Sequence, residues 1–440
     1  MQIRVENFGK IRSANVNLDG YTIFVGDNNS GKTYLMQLIY GVLDYLKRIH
    51  FPKNESTNSI ESTKIIPLVN KLLQEKKEEI VQNTFKKQIA IGLLEINALE
   101  TNFLETKKIF HLKKLSKEEY RNLSGKESTF LQEENEDVNI FSIFEDNELK
   151  HSIFAHFNVP EVILRDEMLR FAVRRILKMS PLSLEKNIFL PASRSGLMLT
   201  RPFVFANKNE DNLLFPRDSR QEKKENEFGL TQPVYDFLNF LQTHKPSERK
   251  TSQNAPLISF INKNIIHGEM KPITNEYGYK ADGAKELLHP SHTSSMVNEI
   301  SPIVQILTSV RKFQFIFYDE IETCQHPTTQ IQMARLLNRM VNANYKMIVS
   351  THSDTMATAI NIAIAIEKLK DSDKKLAELG YEKTDILKNS NVVHAYQFIK
   401  NKEGTVVEEV KRHASMGLNF DFTLFNEANK KLFDAYQHLK

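Results

Sequence analysis

An apolar run, Tyr21-Thr22-Ile23-Phe24-Val25, breaks at Gly26-Asp27-Asn28-Asn29-Ser30-Gly31-Lys32-Thr33. Apolar residues then return as Leu35, Met36, Leu38, Ile39, Val42, Leu43 and Leu46. The first run reads as a buried strand, and the second places one apolar stripe on a helix. Strand, Gly-x-x-x-x-Gly-Lys-Thr, helix is the context in which this spacing binds phosphate. Gly26 and Gly31 let the backbone turn, so that successive N–H groups of Asn28, Asn29 and Ser30 face one concavity. The helix N-terminus adds its positive dipole end there. Lys32 is expected to reach the β- and γ-phosphates of a nucleotide, and the Thr33 hydroxyl to sit on Mg²⁺.

Around this element the chain divides into three stretches. Residues 1–52 hold strands near Ile3–Val5, Ile11–Leu18 and Tyr21–Val25, then the loop and its helix. Asn7-Phe8-Gly9-Lys10 and Asp19-Gly20 supply the turns. Residues 53–182 are rich in Lys, Glu and Asn and read as mainly helical with little strand, an insertion between halves of a core. Ile65, Leu68, Val69 and Leu72 fit a helical face, as do Leu93, Leu94 and Ile96. A helix over about Val162–Met179 carries Arg170, Arg174 and Lys178 at four-residue spacing. That basic stripe is either a solvated face or a nucleic-acid surface. Residues 183–440 return to core: a strand at Asn187–Leu190, a polar loop over 206–228, and a helix at Val234–Leu241. A hairpin follows within Ile265–Tyr279, and a second spans Val392–Ile399 and Thr405–Val410. A closing helix carries Phe425, Ala428, Leu432, Tyr436 and Leu439.

The second cluster of chemistry lies in this last stretch. Phe313 to Tyr318 is an apolar, aromatic strand that ends in Asp319-Glu320. A strand that delivers two carboxylates at its C-terminal end suits a Mg²⁺·ATP site. Asp319 would hold the metal through water, and Glu320 would polarise the water that attacks the γ-phosphate. One strand later, Met347 to Ser350 ends in Thr351-His352-Ser353-Asp354, which places His352 to hydrogen-bond the γ-phosphate and report hydrolysis.

These segments resemble the ABC/SMC-type P-loop ATPases, above all the prokaryotic OLD-like branch with its stand-alone AAA-15 and AAA-21-type ATPases. The resemblance covers residues 1–50 and roughly 185–440. It implies an α/β fold with an ABC-type core and mixed sheet, interrupted by the helical insertion. In that family Asn7–Lys10 resembles the segment near the nucleotide base. Asp319 to Pro327 resembles Walker B running into the D-loop, and His352 the H-loop histidine. The family's signature motif offers Ser then Gly at a helix N-terminus to the γ-phosphate of the opposite subunit. Here the candidates are Ser294 and Ser295, with Met296 where Gly is expected, and simple helix capping is the other reading of the pair. Pro302, capped by Ser301, is expected to start a new helix and leave the serines in a loop. The Q-loop glutamine has no match, and Arg194, within Pro191–Gly196, is the candidate stand-in. The TOPRIM nuclease domain of OLD proteins has no counterpart either: the one Asp-x-Asp after Asp354, Asp371-Ser372-Asp373, lies in a Lys-rich linker.

The resemblance thus implies an ATP hydrolase that closes as a homodimer, or a higher oligomer, around ATP and Mg²⁺. It would control a separate effector, a nuclease or toxin, as in bacterial anti-phage defence. The alternative is an SMC-like clamp on DNA, with residues 53–182 touching duplex. A charge balance of 59 Lys+Arg against 55 Asp+Glu is too mild to prove a polyanion partner. Cys324 alone cannot form an internal disulfide, and no apolar run is long enough to cross a membrane, so a cytoplasmic protein without membrane partner is expected. The missing signature sequence also argues against a transporter subunit.

Overall fold

The computed structural model describes the chain except residues 53–57, 99–106, 125–138, 156–158, 180–184, 215–228, 274–275, 414–418, 421, 423–433 and 435–440. For 206–214 and 276 it describes the backbone alone. The expected terminal helix therefore lies outside the described residues, as does the expected polar loop from 215 onward. The chain opens with strands β1 (Gln2–Phe8), β2 (Ile11–Asn17) and β3 (Tyr21–Gly26), followed by helix α1 (Lys32–Arg48). Next come β4 (Ser59–Glu61), α2 (Ser62–Phe85), β5 (Leu93–Asn97), β6 (Ile109–Leu115), α3 (Lys117–Ser124), β7 (Asn139–Glu145), β8 (Glu148–Ala155) and α4 (Glu161–Ile176). The remainder includes β9 (Lys186–Leu190), α5 (Arg194–Leu214), α6 (Gln232–Thr243), the hairpin β10 (Gly268–Ile273) and β11 (Glu276–Ala281), and α7 (Ser295–Thr308). Then follow β12 (Phe313–Tyr318), α8 (Pro327–Asn342), β13 (Lys346–Thr351), α9 (Asp354–Ala365), β14 (Val393–Asn401) and β15 (Gly404–Glu409).

Two compact units emerge. One comprises Val5–Gly41, Glu78–Gly92 and Leu184–Lys440; the other comprises Met1–Arg4, Val42–Lys77 and Leu93–Ser183. In the first, a mixed sheet runs in the order β1-β2-β15-β14-β3-β13-β12-β9. From β14 to β9 all neighbours are parallel, while β15 runs antiparallel to β14 and parallel to β2. Every residue of β3 is buried, as its unbroken apolar run requires of a strand covered on both faces. The register aligns Val25 with Thr351, Tyr318 with Val349 and Leu190 with Tyr318. Four strand ends, and the loops that leave them, therefore fall side by side at the carboxyl edge, where open α/β sheets bind their ligands.

Helices α5, α6, α7, α8 and α9 contribute to the core of this unit, with Phe237, Leu241, Ile303, Leu307, Met333, Leu337, Met356 and Ile360 among its buried residues. Helix α7 corrects one expectation. It starts at Ser295 and runs through Pro302 without a second start. Proline removes one main-chain hydrogen bond, but every residue from Val297 to Thr308 is buried, and that packing outweighs the loss. Ser294 is the N-cap, its hydroxyl accepting from the Val297 N–H.

The second unit carries more strand than its composition suggests. Helix outweighs strand among its described residues, but β4, β6, β7 and β8 form an antiparallel sheet. Leu93, Leu94 and Ile96, read as a helical face, lie on β5, where Leu94 and Ile96 are buried by the two-residue period of a strand. The Asn70 side chain bonds the main chain of Ile96 at both N–H and C=O. Helix α4 packs on the antiparallel sheet, its Phe171 ring set at 70° to Phe110 and stacked over His151. The predicted basic stripe on α4 is not a free surface. Arg174 is buried and paired with Glu167 at 3.0 Å, and Arg170 bonds the Ile49 carbonyl and pairs with Asp166 and Glu167. Acids one turn from Arg170 and two turns from Arg174 on the same helix offset these two charges, while Lys178 is exposed.

Candidate nucleotide-binding site

The loop between β3 and α1 is built from two left-handed residues, Asn29 (φ 61°) and Gly31 (φ 101°). Gly31 suits this conformation, and Asn is among the few other residues that adopt it readily. The Leu35 N–H closes the first helical turn on the Gly31 carbonyl at 2.9 Å. Gly26 is required for space: a Cβ there would lie 2.8 Å from Phe398 Cβ and 3.2 Å from Ser30 Oγ. Lys32 is buried, its ammonium donating to the carbonyls of Gly26 (2.7 Å) and Asp27 (2.8 Å). Burial pulls this ammonium below the ordinary lysine range, opposed by the carboxylates of Asp319, Glu320 and Glu322.

The C-terminal end of β12 meets this loop. Thr33 Oγ1 donates to Asp319 Oδ2 at 2.7 Å, and Ser350 Oγ donates to Asp319 Oδ1. Burial raises the proton affinity of Asp319, with those two hydrogen bonds opposing it. Glu320 follows in a left-handed conformation (φ 46°), which is uncommon for a residue with a Cβ. Its N–H donates to Ser350 Oγ and its carbonyl accepts from Thr323 Oγ1, both at 2.9 Å. The strain is thus held by partners on both sides. Burial, then the Asp319 charge, raises the Glu320 carboxyl above the usual carboxylate range.

His352 leaves the end of β13 beside this pair. Its Nδ1 lies 3.0 Å from Glu322 Oε1 and 3.9 Å from Glu320 Oε1, and its N–H donates to Glu322 Oε1 at 2.7 Å. The Glu322 hydrogen bond raises the imidazole's proton affinity against the effect of burial. On Glu322 burial acts upward, but the His352 ring and main-chain bonds prevail and hold it below the ordinary range. With Nδ1 engaged by Glu322, Nε2 is the ring nitrogen left for a ligand.

Asn28, Asn29, Ser30, Gly31, Lys32, Thr33, Glu320 and His352 line one cleft of about 920 Å³. Asp319 joins them through Thr33. Those eight lining residues are among the ones singled out in the sequence, which assigned no part to Glu322 or Ser350, nor to Tyr34 and the segment Lys87-Gln88-Ile89 of the same cleft. The Tyr34 ring stacks on Phe85 at 5.3 Å, and its hydroxyl accepts from Lys87 Nζ at 2.9 Å. Glu322 was legible in the Asp-Glu-x-Glu spacing; nothing in the sequence ties 87–89 to the loop.

Two candidates stand elsewhere. Ser294 and Ser295 are exposed at the N-terminus of α7 and do not line the cleft of their own chain. Arg194 does not line it either. It is wholly buried, donating to the carbonyls of Pro191, Asp319 and Glu320, so it is not a stand-in that reaches the nucleotide.

The donor set fits a magnesium nucleotide. Ser30 Oγ is buried without a hydrogen-bond partner, and the ammonium of Lys32 lies among bare carbonyls. Thr33 and Asp319 present two oxygens side by side. Mg²⁺ takes one or two protein oxygens plus phosphates and waters, and Thr33 Oγ1 and Asp319 Oδ2 are such a pair.

Comparison with protein families matches the chain to the AAA_15 model, described as an AAA ATPase domain, over residues 1–196 and 300–357. Comparison with curated proteins gave no match. Among solved structures, the chain is similar to an SMC head bound to the C-winged helix domain of ScpA (13% identity, 94% of this chain and 98% of that one, TM-score 0.38). It is also similar to the SMC head domain from Thermotoga maritima (11%, 93% and 98%, TM-score 0.34). A third is the Smc head with an extended coiled coil bound to the C-terminal domain of ScpA from Pyrococcus furiosus (12%, 97% and 98%, TM-score 0.37).

Proposed function

The chain belongs to the AAA_15 family of AAA ATPase domains, and from that premise we propose that it hydrolyses ATP as a nucleotide-gated homodimer that controls a separate effector. The observation that carries the reading is the Thr33–Asp319 hydrogen bond, which joins the phosphate loop to the strand end bearing Glu320, beside His352. Asn28 to Thr33 would cradle the triphosphate with main-chain N–H groups, and Lys32 would exchange its carbonyl partners for phosphate oxygens. Thr33 and Asp319 would hold Mg²⁺, which when bound neutralises charge on the β- and γ-phosphates. Glu320 would take a proton from the attacking water, and His352, oriented by Glu322, would bond the γ-phosphate.

Dimer closure draws support from Ser294 and Ser295. Ser294 caps and Ser295 begins a helix that is buried from Val297 to Thr308, and both serines stand exposed, off their own cleft. A cap serine with no nucleotide in its own subunit is suited to the nucleotide of a second copy. ATP then acts as a ligand selective for the closed pair, and its hydrolysis releases it. Control of a nuclease or toxin, in anti-phage defence, extends this by family resemblance. Of the three residues named for the DNA-clamp alternative, Arg170 and Arg174 are paired within their own unit, while Lys178 is exposed. No helix among the described residues is long and apolar enough to cross a membrane.

The test pairs binding with assembly. Labelled ATP with Mg²⁺ should bind the parent and not Lys32→Ala. Glu320→Gln should double its mass by light scattering on adding ATP, and Ser294→Ala/Ser295→Ala should abolish that doubling. A Glu320→Gln protein that stays monomeric when saturated with ATP would end the dimer reading.

A further inference from the structure

Arg194 and Glu299 are both wholly buried and form an ion pair, Arg194 Nε to Glu299 Oε2, at 2.7 Å. Charges taken this far from water persist only when every face is engaged, and here the engagement is specific. The guanidinium also makes three hydrogen bonds to main chain: Nη1 donates to the carbonyls of Pro191 (2.8 Å) and Asp319 (2.6 Å), and Nη2 to that of Glu320 (3.2 Å). Its plane lies over the Tyr318 ring at 4.5 Å. Glu299 Oε1 accepts the Ser195 N–H at 2.9 Å, which fixes the first turn of α5 to α7. The pair therefore joins the loop after β9, the end of β12, and the helix headed by Ser294.

What it grips is the strained point of the cleft. Glu320 sits at positive φ, and its carbonyl is pinned by Arg194 together with Thr323. An arginine fork can hold three carbonyls at once while keeping a carboxylate; a lysine cannot. Glu299 lies one helical turn beyond Ser295, on the helix whose cap is exposed. We infer that Arg194 and Glu299 are positioning residues that set the Glu320 carboxylate for hydrolysis and tie it to the helix of Ser294 and Ser295. This inference rests on the proposed ATPase reading. It assigns Arg194 a role on the protein side of the site, acting through main chain and touching no nucleotide.

The experiment compares Arg194→Lys and Glu299→Gln with the parent. Nucleotide affinity is measured with a fluorescent ATP analogue, and phosphate release is expressed per bound nucleotide, so that any misfolded fraction drops out. Both variants are expected to bind within about twofold of the parent, with KM unchanged and kcat per site at least about tenfold lower. Glu299→Gln, which keeps the acceptor for Ser195 and loses only charge, carries the test if Arg194→Lys fails to fold. A merely structural pair would lower the melting temperature and leave kcat per bound nucleotide intact, and that result overturns the inference. A parent that binds ATP but never releases phosphate overturns the ATPase reading itself, and the inference with it. An active parent with fully active variants overturns the positioning role alone.

Discussion

Glu320→Gln isolates chemistry from architecture. The amide has the shape of the carboxylate, and the contacts that hold residue 320 in its left-handed conformation belong to its main chain, to Ser350, Thr323 and Arg194. None of these is touched by the substitution. What disappears is a base whose proton affinity burial and the adjacent Asp319 charge have raised toward working pH, the direction that makes a carboxylate more effective. General-base catalysis contributes roughly 10²–10⁴-fold. At the middle of that range kcat should fall about 10³-fold, about 4 kcal/mol of barrier. Nucleotide affinity should hold or improve slightly, since one negative charge facing the triphosphate is gone. Single-turnover phosphate release, normalised to bound ATP, measures the first, and titration with a fluorescent analogue the second. A loss below tenfold with binding intact would remove Glu320 from the role of base. A loss matched by an equal fall in affinity would mean that the substitution had disturbed the cleft instead.

Gly26→Ala should crowd Phe398, whose Cβ would stand 2.8 Å from the new methyl group, costing about 1–3 kcal/mol; ATP titration should show at least about tenfold weaker binding, and unchanged affinity would contradict the packing argument. Asp385→Ala strips the shared counter-ion from Arg335 and Arg339, which it contacts at 2.9 and 2.6 Å while itself fully buried. Urea unfolding should lose about 3–5 kcal/mol, and a loss under 1 kcal/mol would show the network to be dispensable. Burial, aided by the Arg311 guanidinium, pushes the His244 imidazole down to about 4. The unfolded chain, with an ordinary value of 6.5, takes its proton first, so this contribution is full above that pH and erodes as pH falls toward about 4. His244→Gln should flatten that part of the pH–stability profile relative to the parent, and parallel profiles would exclude the residue.

The nucleotide-site motifs were readable because phosphate and metal binding demand fixed spacings. Gly26 to Thr33, Asp319-Glu320 and His352 each follow a mainly apolar strand, and parallel pairing brings such strands to one edge. The readings that failed did so where packing overrode local preference. Pro302 lies inside α7 because its neighbours are buried. The stripe of Arg170 and Arg174 looked cationic only because Asp166 and Glu167, its partners, were counted separately. In the second unit β6 runs Ile109–Leu115 with only Phe110 and Leu115 buried, so its polar residues gave no alternating pattern to detect. Lys87–Ile89 reach the cleft by tertiary folding alone.

Strand β3 has a consequence for how the molecule comes into being. Its hydrogen-bonded neighbours are β13 and β14, both translated long after it, and Lys400, at the far end of β14, donates to the Asn28 carbonyl of the phosphate loop. A ribosome must therefore synthesise through Lys400 before the phosphate loop can assume its working shape. Prematurely terminated products should be unable to sequester ATP. Until then a segment apolar but for Thr22 waits with two open edges, a point from which aggregation can start.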